Sequence, residues 1–511
     1  MRAMEALFLG IDAGTTTTKA GVYDLKGNEV SLASRSTKPV HTPDGSVLQD
    51  MNAEWREVAA TIREAVHDSR DRGRIQAIGV TAQGDGLWML DKKLQPVQEA
   101  VLWIDGRSRA VIERWDRAGI LGKSGRVVFS GSPLAFSAWF YKNRPEVIAT
   151  ARHILFCKDW IKYCLTGELA TDETDLSDAS LIDVRARRFS PELLELFGVE
   201  PLLELLPPIY KSTDVIGYVT PEAAAATGLQ PGIPVVNGMI DVAASAIGTG
   251  VLEPYTACSI VGTTVYNEIV VDKVNEIGRK TENQPSLICH GQDDRWLLTF
   301  GTMLGTPNLD WFLDRFCAGE RRLSLADPEL VAALKEVPVG SDGIIFHPYL
   351  GEGGERAPFV KPTAAAQFFG LKAHHTRYHL VRAVCEGVAY SMRDCFDSFP
   401  IEPKFIRIAG GGSKSSFWCQ IFASCLGKPI EVTHGDEIGA KGAAIIAAVG
   451  QGHFASLDEA IGEMVRVKTT YDPVLEAYRT YSEGFALYTA LRKSLWNLWE
   501  QRNRFLNTNT F

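Results

Sequence analysis

The sequence predicts an α/β protein of two related lobes, on three observations. Short apolar runs of strand length alternate with stretches whose apolar residues recur at helical spacing. An arrangement of strand, Gly-Thr-Thr turn and strand occurs twice, its turns starting at Gly14 and Gly262, nearly half of the 511 residues apart. Late in the chain, Phe405 to Ala409 runs straight into Gly410-Gly411-Gly412-Ser413-Lys414. Residues 417–426 then take up helical spacing, which makes a strand, glycine loop and helix unit.

Taken in order, residues 6–11 and 20–24 read as strands separated by Ala13 to Lys19, and Leu25 to Asn28 turns the chain into a third at 29–34. Trp55, Val58, Ala59, Ile62, Ala65 and Val66 mark an amphipathic helix over 54–66. Residues 75–81 and 87–90 read as buried strands joined by Ala82-Gln83-Gly84-Asp85-Gly86. A polar, glycine-rich loop at the end of a buried strand is where α/β proteins keep their sites. Pro234-Val235-Val236 leads through Gly238-Met239-Ile240-Asp241 into a helix from Val242. Residues 256–261 and 265–271 flank the second Gly-Thr-Thr turn. Helices follow at 378–395 and 439–449, and an amphipathic tail helix at 473–499.

Composition narrows the partners. With 45% hydrophobic and 23% charged residues the chain is neither disordered nor collagenous. A net charge of -9 repels a phosphate backbone, so nucleic acid is not expected, and any phosphate is met at a local site. Nine scattered cysteines without a CxxC pair point to reduced thiols in a cytoplasm. Neither an export signal nor a membrane span is expected.

Asp12-Ala13-Gly14-Thr15-Thr16-Thr17-Thr18-Lys19 sets a carboxylate, glycine-freed amides, hydroxyls and an ammonium in one turn, the groups a triphosphate and its Mg²⁺ require. A Thr-rich hairpin with solvated Asp and Lys has the same spacing, and the residues alone leave both readings open. With no GxxxxGK[ST] and no GxGxxG after a strand, P-loop and dinucleotide folds lose ground. Asp241 is either a base or a helix N-cap, and Asp85 either a hydroxyl contact or an idle turn residue between two glycines. Trp103 either stacks on a carbon face or fills the core. His374, His375 and His379 lack a completing Cys or acid at zinc spacing and read as surface helix residues.

Together, Asp12 to Lys19, Gly262-Thr263-Thr264 and Gly410-Gly411-Gly412 resemble the three nucleotide-binding segments of the actin-like, ribonuclease-H-like ATPase superfamily. Within it the chain resembles the FGGY carbohydrate kinases. Their C-terminal signature is matched by Ala366 to Leu371 and, seven residues on, by His379 to Glu386, with Cys385 where an aliphatic or aromatic residue is usual. The N-terminal signature departs at Phe136, where a Lys usually precedes Trp139 by three. The Gln83-Gly84-Asp85-Gly86 loop, with Trp103 downstream, looks most like erythritol kinases and their L-xylulose kinase relatives.

This resemblance implies two actin-like lobes around a deep cleft, residues 1–246 and 247–450, with a helical tail, 451–511, packed back on the first lobe. It implies ATP and Mg²⁺ as cofactors and transfer of the γ-phosphate to a hydroxyl of a small polyol or ketose. Asp241 inherits the general-base role, and Asp12 and Asp241 hold Mg²⁺ directly or through water. Gln83, Asp85, Trp103 and Asp241 meet the sugar. Asp12, Gly14, Thr15, Thr16, Lys19, Gly262, Thr263, Thr264, Gly410, Gly411, Gly412 and Ser415 meet the nucleotide, with Thr306 and Asp310 as further candidates. Lys158-Asp159-Trp160 and Thr171-Asp172 match a segment lining the cleft. A D-xylulose or glycerol kinase is the alternative within enzymes. An actin-like chaperone or filament ATPase is the alternative outside them, though it has no reason to carry the FGGY signature or Asp241. The resemblance leaves room for a homodimer.

Overall fold

Seven strands from the first half of the chain form one sheet, and seven from the second half form another with the same central arrangement. The structure, a computed structural model, describes residues 6–508 apart from 44, 68–72, 125–127, 275–283 and 318–322. The first sheet contains β1 (Leu7–Ala13), β2 (Thr17–Asp24), β3 (Glu29–Ser36), β4 (Ile75–Ala82), β5 (Val215–Tyr218), β6 (Pro234–Val236) and β7 (Met239–Ile240). Its order is β5-β6-β4-β1-β2-β3, with β7 also on β4. The second contains β8 (Ala257–Val261), β9 (Val265–Val271), β10 (Ser286–Cys289), β11 (Trp296–Gly301), β12 (Ile406–Ala409), β13 (Ile430–Thr433) and β14 (Val467–Tyr471), in the order β10-β11-β9-β8-β12-β13-β14. In each, an antiparallel hairpin (β1–β2, β8–β9) carries a parallel strand on its other side (β4, β12). The two Gly-Thr-Thr turns therefore occupy the same place in two related sheets.

The central strands are almost wholly apolar because both faces are covered; β1 is buried along its length except at Asp12. The covering helices used below are α1 (Met51–Ala65), α2 (Cys157–Thr166), α3 (Glu173–Asp178), α4 (Asp241–Thr249), α5 (Pro307–Phe316), α6 (Arg377–Ser398), α7 (Ser416–Leu426), α8 (Ile438–Gly450) and α9 (Leu475–Thr508). Side-chain caps start several of them: Asp50 accepts from the Ala53 amide, and Ser415 from that of Trp418.

Helices α4 and α8 pack on each other, and α8 lies on β1 and β4, so a helix from late in the chain covers the first sheet. Glycine makes the approach possible. A Cβ on Gly10 would come 1.8 Å from the Ala440 carbonyl oxygen, one on Gly79 1.9 Å from that of Ala443, and one on Gly442 1.9 Å from that of Ala244.

The expected return of the tail to the first lobe holds for its first part, where the His453 ring meets Phe8 edge-on at 5.0 Å and a Cβ on Gly27 would come 1.9 Å from the Met464 carbonyl oxygen, but not for its long helix. Helix α9 packs on α7 and the strand Ile345–His347 of the second lobe. Tyr481, Tyr488 and Trp499 form its buried face, and Tyr481 donates to Glu386, which also pairs with Arg382. Among the described residues no helix is long and apolar enough to cross a membrane.

Candidate functional site

The β1–β2 hairpin turns through Gly14, whose amide donates to the Thr17 carbonyl at 3.1 Å. In register, Asp12 lies opposite Lys19 on β2. The end of β4 brings the Gln83 loop alongside, its amide donating to the Ala13 carbonyl. Side chains then link three of the expected residues: Trp103 Nε1 donates to Thr15 Oγ1 at 2.9 Å, and Thr15 Oγ1 donates to Gln83 Oε1 at 2.8 Å. The Thr15 hydroxyl is thus committed to bracing the Gln83 loop, while Thr16 beside it is exposed. Trp103 is half-buried at this junction, so the core-filling reading fails. On its face sits Arg356 of the second half, with the guanidinium 5.7 Å from the ring centre.

Asp85 is buried and holds a φ of 53°, a conformation that Asp and Asn tolerate better than most residues. Next to it Gly84 is hemmed in: a Cβ there would meet Ile240 at 2.3 Å and Asp178 Oδ2 at 3.4 Å. Asp178 is a carboxylate that the sequence reading missed. Its signal was the acidic run of α3 and its cap, where Asp172, Asp175 and Asp178 recur at spacings of three.

Asp241 stands at the first position of α4, with Ile240 as the cap, so it is not the N-cap. Burial pushes its carboxyl up to about 8, and the charges of Asp12 and Asp178 add to the effect. Burial likewise lifts Asp12 to about 6 against the pull of Lys19. The ammonium of Lys19 lies 2.5 Å from a carboxylate oxygen of Glu437, the residue before α8, and Gly439 leaves room for Asp12. Glu437 was also missed, because nothing local in the sequence ties it to the first hairpin.

In the second sheet, Gly262, Thr306 and the 410–412 loop come together. The Thr306 amide and hydroxyl both donate to the Gly262 carbonyl, at 2.8 and 3.2 Å, and the Gly305 amide donates to that of Thr263. A Cβ on Gly411 would come 3.6 Å from Thr306 Cγ2, and one on Gly410 would meet the Val261 carbonyl. Thr263 is exposed and Thr264 half-buried in the turn. Two candidates flank this cluster. Ser415 is buried as the cap of α7, and Asp310 is on the exposed face of α5.

Lys158, Asp159 and Asp172 are fully buried beneath the site and do not line it. Phe136 is a core residue, which explains the departure from Lys at that position. His374 and His375 lie in the turn before α6, not on it. Their Nε2 atoms are 2.8 and 3.2 Å from Asp342 Oδ2. The Lys372 amide donates to His375 Nδ1, which leaves the proton of the neutral ring on Nε2, the wrong tautomer for a metal ligand there.

Comparison with known proteins follows the same lines. The chain matches the FGGY family of carbohydrate kinases, N-terminal domain, over residues 7–248, and the C-terminal domain of that family over 277–451. It is 32% identical to an erythritol kinase of Brucella abortus (strain 2308), with 98% of each chain covered. It is 29% identical to an L-xylulose/3-keto-L-gulonate kinase of Escherichia coli (strain K12), covering 96% of this chain and 98% of that one. A ligand-bound xylulose kinase from Lactobacillus acidophilus has the same fold, with a TM-score of 0.87 at 24% identity over 96% of this chain and 98% of the other.

Proposed function

Since the chain belongs to the FGGY family of carbohydrate kinases and is an ATP-dependent sugar or polyol kinase, we propose that Asp241 is its general base and that its acceptor is a small polyol or ketose of the erythritol or L-xylulose type. The observation that carries this reading is the meeting of Asp241, Asp12 and the Gln83–Asp85 loop at the ends of β1, β4 and β7. Asp241 accepts the proton of the reacting hydroxyl late, as phosphoryl transfer requires, while positioning and charge neutralisation supply most of the rate. Gln83 and Asp85 orient the neighbouring hydroxyls, and Trp103 forms a wall. Lys19, the Gly14 to Thr16 amides, the Gly262 to Thr264 turn and the Gly410 to Gly412 loop donate to phosphate oxygens.

The residues present fit a divalent cation. Asp12 and Asp241 are two carboxylates whose pKa values burial raises, and Asp12 adds to the rise at Asp241, a repulsion that a shared cation relieves. Mg²⁺, when bound, neutralises charge on the phosphoryl oxygens. The cytoplasm as its compartment, and a homodimer as its assembly, complete the proposal. The test is ATP consumption against erythritol, L-xylulose, D-xylulose, D-ribulose, L-ribulose, glycerol and gluconate. A clear preference for erythritol or L-xylulose supports the reading, and a preference for D-xylulose or glycerol overturns it in favour of the alternative kinases.

A further inference from the structure

The turn that delivers Asp241 is held by buried polar groups along its whole length. Asn237 donates to the carbonyls of Thr171 and Tyr210, both at 2.9 Å, and accepts from Lys162. Gly238, at a φ of 72°, donates to the Ser212 carbonyl at 2.8 Å. The Met239 carbonyl accepts from Thr81 Oγ1 at 2.7 Å. The Ile240 amide, last before Asp241, donates to Thr174 Oγ1 at 2.9 Å, and that hydroxyl donates onward to Asp172 Oδ2 at 2.7 Å. Asp172 in turn accepts from Ser212 Oγ and lies 3.0 Å from Lys158 Nζ, which also reaches Asp159 and Asp175. Lys158 and Lys162 are fully buried.

A buried set of two lysines and three aspartates is a costly way to gain stability, and well-packed apolar residues of the same volume often do as well. Ionic groups repay that cost when they fix a geometry. Here the set reaches the turn at Asn237 through Lys162 and at Gly238 through Ser212, and the branch nearest Asp241 ends at the Ile240 amide. Thr174 is the only link by which the Lys158–Asp172 pair reaches Ile240 among these bonds, and the link needs a group that donates and accepts at once, which a hydroxyl does and an alkyl group cannot.

We propose that Thr174 is a positioning residue for phosphoryl transfer: through its hydroxyl, the buried Lys158–Asp172 pair fixes the Ile240 amide and so aims the Asp241 carboxylate at the acceptor. The inference rests on the reading of Asp241 as the base. Displacement of a reacting group by about 1 Å costs on the order of a hundredfold in rate, so a small relaxation of this turn is felt in kcat. Substrate binding is affected less, because the Gln83–Asp85 loop, although Gly84 packs against Ile240, has its own hydrogen bonds to Thr15 and Ala13.

The test compares Thr174→Val, Thr174→Ser and Asp241→Asn in the full chain, with kcat and KM measured for the best acceptor and for ATP. Thr174→Val should lose about tenfold or more in kcat with both KM values within about threefold of the parent, and Thr174→Ser should restore most of the rate. A Thr174→Val protein with the parent kcat, beside an inactive Asp241→Asn, overturns the positioning role and leaves the base reading standing. An active Asp241→Asn overturns both. Should Val at 174 prevent folding, Thr174→Ala is compared with Thr174→Ser, and equal rates for the two overturn the proposal.

Discussion

Lys19 of the first hairpin is ion-paired, at 2.5 Å, with Glu437 at the start of α8. The pair joins the first hairpin to a helix from the other end of the chain, and its side chains are 29% and 22% exposed. A partly exposed ion pair contributes about 0.2 to 1 kcal/mol, and an incoming triphosphate must compete with it for the ammonium. Glu437→Gln should therefore lower the KM for ATP by roughly 1.5- to fivefold, while Lys19→Met raises it. If Glu437→Gln raises KM as Lys19→Met does, Glu437 is itself part of the nucleotide site.

Asp241→Asn keeps the shape of the side chain and removes its basicity. General-base catalysis is worth about a hundred- to ten-thousandfold, so kcat should fall by at least that range while ATP binding, followed by calorimetry, persists. A variant within tenfold of the parent rate would sink the assignment.

The raised carboxyls give the ligand-free protein a definite response to pH. Burial holds the carboxyl of Asp12 up at about 6 and that of Asp241 at about 8 in the folded state, against an ordinary aspartate value of about 3.9. The folded state thus holds protons that the unfolded state has released. The stability they contribute is present at low pH and is lost as the pH rises through about 6 and then about 8. The melting temperature should fall from about pH 4 to about pH 8 and level off above, Mg²⁺ should restore it most at the upper end, and Asp241→Asn should flatten the slope. A melting temperature that rises over that range in the parent contradicts the sign.

Asp85 should set the choice of acceptor. Removing a carboxylate that accepts from substrate hydroxyls costs about 1.5 to 3 kcal/mol, so Asp85→Ala should lower kcat/KM by roughly ten- to more than hundredfold at unchanged ATP affinity. Asp85→Asn, which tolerates the φ of 53°, controls for backbone strain. Because a carboxylate only accepts whereas His can also donate, Asp85→His should favour a ketose over a reduced polyol. An unchanged ratio of polyol to ketulose activity across these variants would reduce Asp85 to a turn residue.

The parts of this molecule legible in its sequence were those encoded locally. Both Gly-Thr-Thr hairpins, the strand into Gly410 and the helix after Ile240 announce themselves within a dozen residues through period and glycine placement. The residues around Trp103 left its place open because its apolar neighbours Val101 and Leu102 are core residues, while its own indole is turned to Thr15 across 88 residues of chain. Asp178, Glu437 and Arg356 act on partners far off in sequence, and the tail helix chose its lobe through Glu386 and Tyr349, which no periodicity within the helix reveals.

The seating of α8 on β1 and β4 has a bearing on how the chain is made. As the ribosome releases the polypeptide from its N-terminal end, the first sheet emerges early, yet the helix that shields one of its faces emerges only after residue 438. Gly10 and Gly79, flat against Ala440 and Ala443 in the finished protein, face an empty side until then. Synthesis therefore passes through a long interval in which apolar strands stand uncovered, the condition under which nascent chains engage chaperones and severed fragments precipitate. Where the gene is cut matters accordingly: a product stopped near residue 246 lacks the cover for its own sheet, and the smallest piece that supplies it extends to about residue 450.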